Sequence, residues 1–200
     1  MDGVLIDARE WHYLALNKAL SPFGLEISES QHLERFDGLS TKQKLNILSE
    51  ESGLPYELHN SISRVKQDQT LRFASTFCYP NVHHLILLNR LKQLNIRVGL
   101  YTNSIRETTE FMLKNAKIFS SFESILTNQD VAKPKPSPEG YLKTAINLGV
   151  VPTSMLVVED GQFGIQAAES AGCRVARVKN PSDVTIELFI EYIPELGLNK

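Results

Sequence analysis

The chain has 200 residues, which suits one domain or one domain with a modest insertion. Its 42% hydrophobic content supports a buried core, and 21 basic against 23 acidic residues leave a net charge of −2. That balance gives no electrostatic case for nucleic acid or an anionic membrane as partner, and no apolar run approaches the roughly 20 residues of a membrane span.

Asp2, Asp7, Arg9 and Glu10 do not fit a secretory leader. Cys78 and Cys173 stand far apart with no CxxC spacing, so two buried thiols in a reducing cytoplasm are the expectation. From about residue 9 to 75 the pattern is helical and mostly polar. Trp11, Leu14, Ala15, Lys18 and Ala19 keep a three-to-four spacing that Ser21-Pro22-Phe23-Gly24 ends. Ser28, followed by Glu29 and Gln31, starts another helix. Ser40 caps Thr41–Glu51, Gly53-Leu54-Pro55 closes it, and a further helix covers roughly Tyr56–Ala74.

After Tyr79-Pro80 strands and helices alternate. The expected helices are Val82–Leu94, Arg106–Asn115, Pro138–Leu148 and Gln162–Ala171. The expected strands are Arg97–Tyr101, Ser124–Thr127, Met155–Val158 and Arg174–Val178. Such alternation predicts an α/β fold, a Rossmann-like parallel sheet wrapped by helices, with its site at the carboxyl ends of the strands. His83 and His84 are expected on a partly exposed helix face, without metal spacing.

The polar residues that follow each apolar run carry the functional reading. Glu159 and Asp160 stand after a buried strand and before a glycine turn. They suit a hard, oxygen-binding cation such as Mg²⁺, or Asp160 is simply a helix cap. Thr102 and Asn103 end a strand ahead of a helix, where a hydroxyl donates to a phosphoryl oxygen or caps the helix. Prolines hold Lys133 and Lys135 in an extended segment before a helix, where an ammonium can neutralise a carboxylate and a phosphoryl oxygen together.

Four stretches, in this order, resemble the motifs of the haloacid dehalogenase superfamily. They are Met1-Asp2-Gly3-Val4-Leu5-Ile6-Asp7, Tyr101-Thr102-Asn103-Ser104, Lys133-Pro134-Lys135-Pro136-Ser137-Pro138-Glu139-Gly140-Tyr141-Leu142 and Glu159-Asp160-Gly161 with Gly164-Ile165 and Ala167-Ala168. The resemblance runs from Asp2 to about Val178. It implies a core over residues 1–8 and 76–200 with a helical cap inserted at 9–75. It implies a phosphatase that works through an aspartyl-phosphate on a small phosphorylated metabolite, a sugar phosphate being the leading class. Asp2 would be the acid and base, and its backbone carbonyl a Mg²⁺ ligand with Glu159 and Asp160. Thr102 and Asn103 would bind phosphate, and Lys135, the register that matches best, would neutralise charge. A shift to Lys133 stays open. His12, one helical turn past Asp7, has two readings, packing at the cap hinge or substrate contact.

On this pattern the nucleophilic aspartate falls one residue ahead of Met1. The chain as written is therefore expected to lack it, as a truncated or inactive form, together with most of a central strand. Arg35-Phe36-Asp37-Gly38-Leu39-Ser40-Thr41-Lys42 resembles the cap loop of the β-phosphoglucomutase-like subgroup. Asp37 and Thr41 stand where that mutase carries a lysine and an arginine. A phosphatase is preferred on that ground, with Lys42 and Arg35 as candidates to reach substrate. A sugar phosphomutase and a non-catalytic relative that binds a phosphorylated ligand or a protein are the alternatives.

Overall fold

A computed structural model of the chain describes residues 1–197. The helices are α1 (Arg9–Leu20), α2 (Glu29–Gln31), α3 (Thr41–Ser52), α4 (His59–Phe77), α5 (Val82–Gln93), α6 (Arg106–Asn115), α7 (Glu139–Leu148), α8 (Gln162–Ser170) and α9 (Ile186–Ile190). The strands are β1 (Gly99–Tyr101), β2 (Ser124–Leu126), β3 (Leu156–Glu159) and β4 (Arg174–Arg177).

Helices α1 to α4 enclose an apolar cluster of their own. Leu16 and Leu20 from α1, Leu45 and Leu48 from α3, and Ile62 from α4 meet Ile27 and Phe36. Ser40 fixes where α3 starts: its hydroxyl accepts from the Gln43 amide, while the Gln43 side chain accepts from the Ser40 amide. Gly53 ends the same helix at φ +69. The helix expected from Ser28 is shorter than its pattern suggests. After one turn it widens, and the Asp37 amide bonds five residues back to the His32 carbonyl. That wide turn swings Asp37 and Gly38 toward the strands, where Asn103 donates to the Gly38 carbonyl.

The second half is the expected α/β alternation, with one departure. Its strands form two parallel pairs, β1 with β2 and β3 with β4. No described strand lies between β1 and β3. A cavity of about 460 Å³ separates them, lined by apolar side chains that include Val98, Leu100, Val157 and Phe122. Met1, Val4 and Leu5 reach its edge but do not fill it. The amides of Val4, Leu5 and Ile6 all bond to the Met1 carbonyl, which curls this segment into a turn.

His84 corrects another expectation. It is buried, and its Nε2 lies 2.9 Å from the Pro181 carbonyl, so it packs α5 against a segment distant in sequence; His83 stays exposed. Both cysteines are buried free thiols. Among the described residues no helix is long and apolar enough to cross a membrane.

Candidate active site

One cleft receives Asp2, His12, Thr102, Asn103, Lys135, Glu159 and Asp160. Asp2 stands beside Gly3, whose backbone adopts φ +71. A Cβ on Gly3 would fall 1.8 Å from the Asp160 carboxylate, so glycine lets the two acids approach. Asp2 Oδ2 accepts from the Ser104 hydroxyl at 2.7 Å, while Oδ1 is buried with no protein partner. Burial alone would raise the Asp2 pKa. The attraction of His12, the Met1 amino group and the Ser104 hydrogen bond outweigh it and hold the carboxyl well below the usual carboxylate range.

His12 projects from α1 between two groups. Its Nε2 lies 3.4 Å from Asp2 Oδ2 without completing a hydrogen bond. Its Nδ1 is 3.0 Å from Lys66 Nζ. A lysine ammonium only donates, so Nδ1 accepts and the ring proton sits on Nε2, facing Asp2. Burial and the Lys66 charge lower the His12 pKa, and the neutral ring is the resting form.

Thr102 is buried at the end of β1, and its hydroxyl accepts from the Ser104 amide. Asn103 acts as a bracket: Oδ1 accepts from the Lys135 amide, and Nδ2 donates to the carbonyls of Gly38 and Lys135. It ties the helical half to the lysine loop. Lys135 is 7% exposed, while Lys133 is exposed, so Lys135 is the lysine of the pair that enters the cleft. Its ammonium pairs with Glu159 and lies 5.1 Å and 5.3 Å from the ring centres of Tyr101 and Tyr141. The Lys135–Pro136 peptide is cis.

Glu159 turns inward. Its carboxylate accepts from Lys135 and from the Tyr141 hydroxyl, and it occupies space that a Cβ on Gly164 would take. Burial raises its pKa, but the Lys135 charge prevails and the net shift is downward. Asp160 faces Arg9 instead, with Nη2 to Oδ2 at 3.0 Å, and Arg9 also bridges to Asp37 at 3.0 Å.

A divalent cation has oxygen donors here. Asp2 Oδ1 is an orphaned buried oxygen, Asp160 packs against the neighbouring residue, and Mg²⁺ commonly uses one or two carboxylates plus waters. Glu159, committed to Lys135 and Tyr141, is placed as the counter-ion of the lysine rather than as a free donor. Among the described residues no group of three or more His, Cys, Asp or Glu side chains could hold a metal by itself.

Glu139, in the first turn of α7, anchors the lysine loop. Its oxygens accept from the amides of Ala132 and Lys133, both at 2.9 Å, and from Lys143 Nζ at 2.7 Å. The Lys143 hydrogen bond and the two amides lower its pKa to about 2. The stabilisation is therefore complete above pH about 4.5 and lost as pH falls toward 2. Glu139→Gln is expected to lower the melting temperature at pH 7, and the gap to wild type should close on acidification. Melting curves from pH 7 down to 3 read it, and a gap constant with pH would rule the anchor out.

The sequence profile of the haloacid dehalogenase-like hydrolases matches residues 1–178. The chain belongs to this family. Among its haloacid dehalogenase-like relatives, the phosphorylated carbohydrates phosphatase of Thermotoga maritima is 29% identical, over 86% of this chain and 79% of that protein. The β-phosphoglucomutase of Bacillus subtilis is 26% identical over 96% of this chain and 92% of its own. The crystal structure of β-phosphoglucomutase from Clostridium difficile superposes with a TM-score of 0.83 at 23% identity, covering 99% and 96% of the two chains. It shares the fold.

Within this haloacid dehalogenase-like cleft stand residues that pattern reading passed over: Arg9, Lys44, Lys66 and Ser104. Lys66 did leave a signal. It lies on the four-residue ladder Ile62–Lys66–Thr70–Ala74, whose other members are all buried, so α4 turns a lysine inward. The cap candidates Arg35 and Lys42 are placed elsewhere. Arg35 pairs with Glu51 at 2.6 Å on the surface, and Lys42 is exposed outside the cleft.

Proposed function

We propose that this haloacid dehalogenase-like hydrolase is a Mg²⁺-dependent phosphatase of a small phosphorylated metabolite, with a sugar phosphate the leading class. The arrangement of Asp2 supports this most: one oxygen is held by Ser104, the other is free in the cleft, and a neutral imidazole stands beside it. Asp2 is ionised at rest. A phosphate entering beside it raises its proton affinity by like-charge repulsion, so that Asp2 takes up a proton from solvent. As the aspartate that the family pattern places before Met1 attacks phosphorus and the bond to the leaving oxygen breaks, Asp2 passes that proton to the leaving oxygen and an aspartyl-phosphate remains. Ionised again, Asp2 takes a proton from the water that releases phosphate. Thr102 and Lys135 bind equatorial oxygens, with Glu159 and the two tyrosine rings fixing the ammonium. The Asp2 backbone carbonyl and Asp160 would hold a Mg²⁺ ion, which would supply the remaining charge neutralisation when bound. Helices α1 to α4 act as the cap, residues 9–75, that excludes bulk water.

The phosphatase reading is favoured over a mutase because Asp37 presents an acid, bound to Arg9, at the cleft. In the family pattern an aspartate nucleophile precedes Met1, so the test uses residues 1–200 and a form extended by an apolar strand ending in Asp. The extended form should hydrolyse an aryl phosphate only with Mg²⁺, and Asp2→Asn should lower kcat about 10²–10⁴-fold, the usual worth of acid–base catalysis. Interconversion of hexose 1- and 6-phosphates would establish the mutase instead. Absence of turnover in the extended form would leave a non-catalytic binder.

A further inference from the structure

Arg9 is the first residue of α1, where residues 1–8 pass into the helical half, and its guanidinium reaches in two directions. Nη2 donates to Asp160 Oδ2 at 3.0 Å, and Nε pairs with Asp37 Oδ2, also at 3.0 Å. Asp160 follows β3, and Asp37 follows the wide turn after α2, so one side chain ties the strands to the helical half. Among the described residues Arg9 is the one cation paired with Asp160, while the charge of the Met1 amino group acts on it without an ion pair. Around Asp37, His32 Nε2 stands 4.0 Å from Oδ1, and Asp37 also acts on the charge of Lys44.

Local preference is against a cation at this position. The first turn of a helix favours acids, because its free amides carry a partial positive charge, and Ala8 supplies no side-chain cap to offset that. A lysine would be a point charge, whereas the planar fork of an arginine holds two carboxylates by two of its edges. The oxygen that it holds matters most. A Cβ on Gly3 would fall 1.8 Å from Asp160 Oδ2 and 3.0 Å from Oδ1, so Oδ2 is the oxygen turned to the Asp2–Gly3 backbone. That backbone carries the Asp2 carbonyl, the proposed Mg²⁺ donor. Guanidinium and metal thus require the same carboxylate oxygen.

We propose that Arg9 is a latch released by metal binding: its guanidinium holds Asp160 and Asp37 together, and a divalent cation entering at Asp160 takes over Oδ2 and leaves Arg9 on Asp37 alone. Metal binding then loosens one tie between the helical half and the strands, while the hydrogen bond from Asn103 to the Gly38 carbonyl stays. Such coupling is reciprocal: the closed bridge weakens metal binding by the same factor by which metal weakens the bridge. Arg9 is therefore a positioning residue. The proposal rests on the Mg²⁺ part of the functional reading and is independent of which phosphate ester is hydrolysed.

Calorimetric titration of residues 1–200 with Mg²⁺ alone tests it without any turnover. Arg9→Met keeps the apolar stem and removes the guanidinium. It should bind Mg²⁺ about 5–10-fold tighter than wild type, the worth of one partly exposed charge-assisted hydrogen bond. Asp37→Asn removes the carboxylate onto which a displaced Arg9 would fall back, so it should bind Mg²⁺ no tighter than wild type. Hydrogen exchange of residues 33–39 reads the other side of the linkage. In wild type Mg²⁺ should speed it about 2–5-fold, less than the full coupling because the Asn103 bond stays. In Arg9→Met it should already be fast and should not respond to Mg²⁺. The metal-free melting temperature of Arg9→Met should lie within about 4 °C of wild type, which separates a released latch from a damaged fold.

Equal Mg²⁺ affinity of wild type and Arg9→Met overturns the proposal, since guanidinium and metal would then share the carboxylate. Weaker binding by Arg9→Met overturns it too, because Arg9 would then be steadying a metal ligand. If Asp37→Asn tightens Mg²⁺ as much as Arg9→Met does, a looser helical half is the cause rather than competition for Oδ2, and the latch fails. Binding of Mg²⁺ by none of the three proteins refutes the Mg²⁺ reading itself and takes the latch with it. Whether metal binds at all thus tells the failure of that reading from the failure of the latch.

Discussion

Adding six to eight apolar residues that end in Asp ahead of Met1 is expected to raise the melting temperature by about 10–20 °C. The reason is the break in the sheet. β1 pairs only with β2 and β3 only with β4, and a cavity of about 460 Å³ lies between the two facing edges. Parallel strands lie about 4.8 Å apart and bond on both sides, so an inserted strand would meet β1 and β3 together. A buried backbone group without a partner costs about 1–3 kcal/mol. Three such groups amount to about 5 kcal/mol, and a chain of this size melts about 2–4 °C higher per kcal/mol. The added side chains would also fill apolar space with Val98, Leu100 and Val157. Thermal melts of the two forms decide it. Equal melting temperatures would mean that the two strand pairs are complete as they stand. An extension ending in Asn should stabilise as well as one ending in Asp, because the gain comes from the strand, and only the Asp form should turn over substrate.

The site was largely readable because its residues follow apolar runs, and parallel-sheet chemistry collects at strand ends. That placement singles out Thr102 after β1 and Glu159 and Asp160 at the end of β3, and the family resemblance chose a phosphate and metal role for them over a plain helix cap. What could not be read was the division of labour between neighbours. Nothing in the order Glu159-Asp160 says that the first turns inward to Lys135 and the second outward to Arg9; that depends on Gly164, which leaves room for the first, and on Gly3, which leaves room for the second. Lys44 and Lys66 were passed over because a lysine in a polar helix normally faces solvent, and only helix phase, set by Leu45 and Leu48 for the first and by Ile62 and Thr70 for the second, argues otherwise. His84 was misread for a related reason. Its burial comes from the segment around Pro181, 97 residues away, and local pattern carries no trace of it. Asp37 was readable as an acid in the wrong place for a mutase, but its bond to Arg9, and through Arg9 to Asp160, is a tertiary fact.

The lysine–glutamate pair beneath the cleft allows stability and activity to be separated. Lys135 and Glu159 are both buried, and the glutamate also accepts from the Tyr141 hydroxyl. Removing one partner of a buried ion pair costs about 3–5 kcal/mol because the other charge is left uncompensated. Glu159→Leu should therefore melt about 10–15 °C below wild type at about 2–4 °C per kcal/mol, with the Tyr101 and Tyr141 rings offering Lys135 only partial compensation. Replacing the whole group by apolar side chains is a different perturbation. Lys135→Met with Glu159→Leu removes both charges, and adding Tyr141→Phe removes the hydroxyl that would otherwise lose its acceptor. That triple variant should recover to within about 1–2 kcal/mol of wild type or exceed it, as apolar replacements of buried ion pairs often do. In the extended form carrying Asp before Met1, Mg²⁺-dependent hydrolysis should be lost in the triple variant despite its restored fold, because no ammonium remains to meet the phosphoryl oxygens. If Glu159→Leu melts within about 2 °C of wild type, the pair is solvated and its assigned role is wrong. If the triple variant is both stable and active, Lys135 takes no part in the reaction. A stable, inactive triple variant beside an unstable single one would show that this ion pair is held for the chemistry, at a cost in stability that the rest of the core offsets.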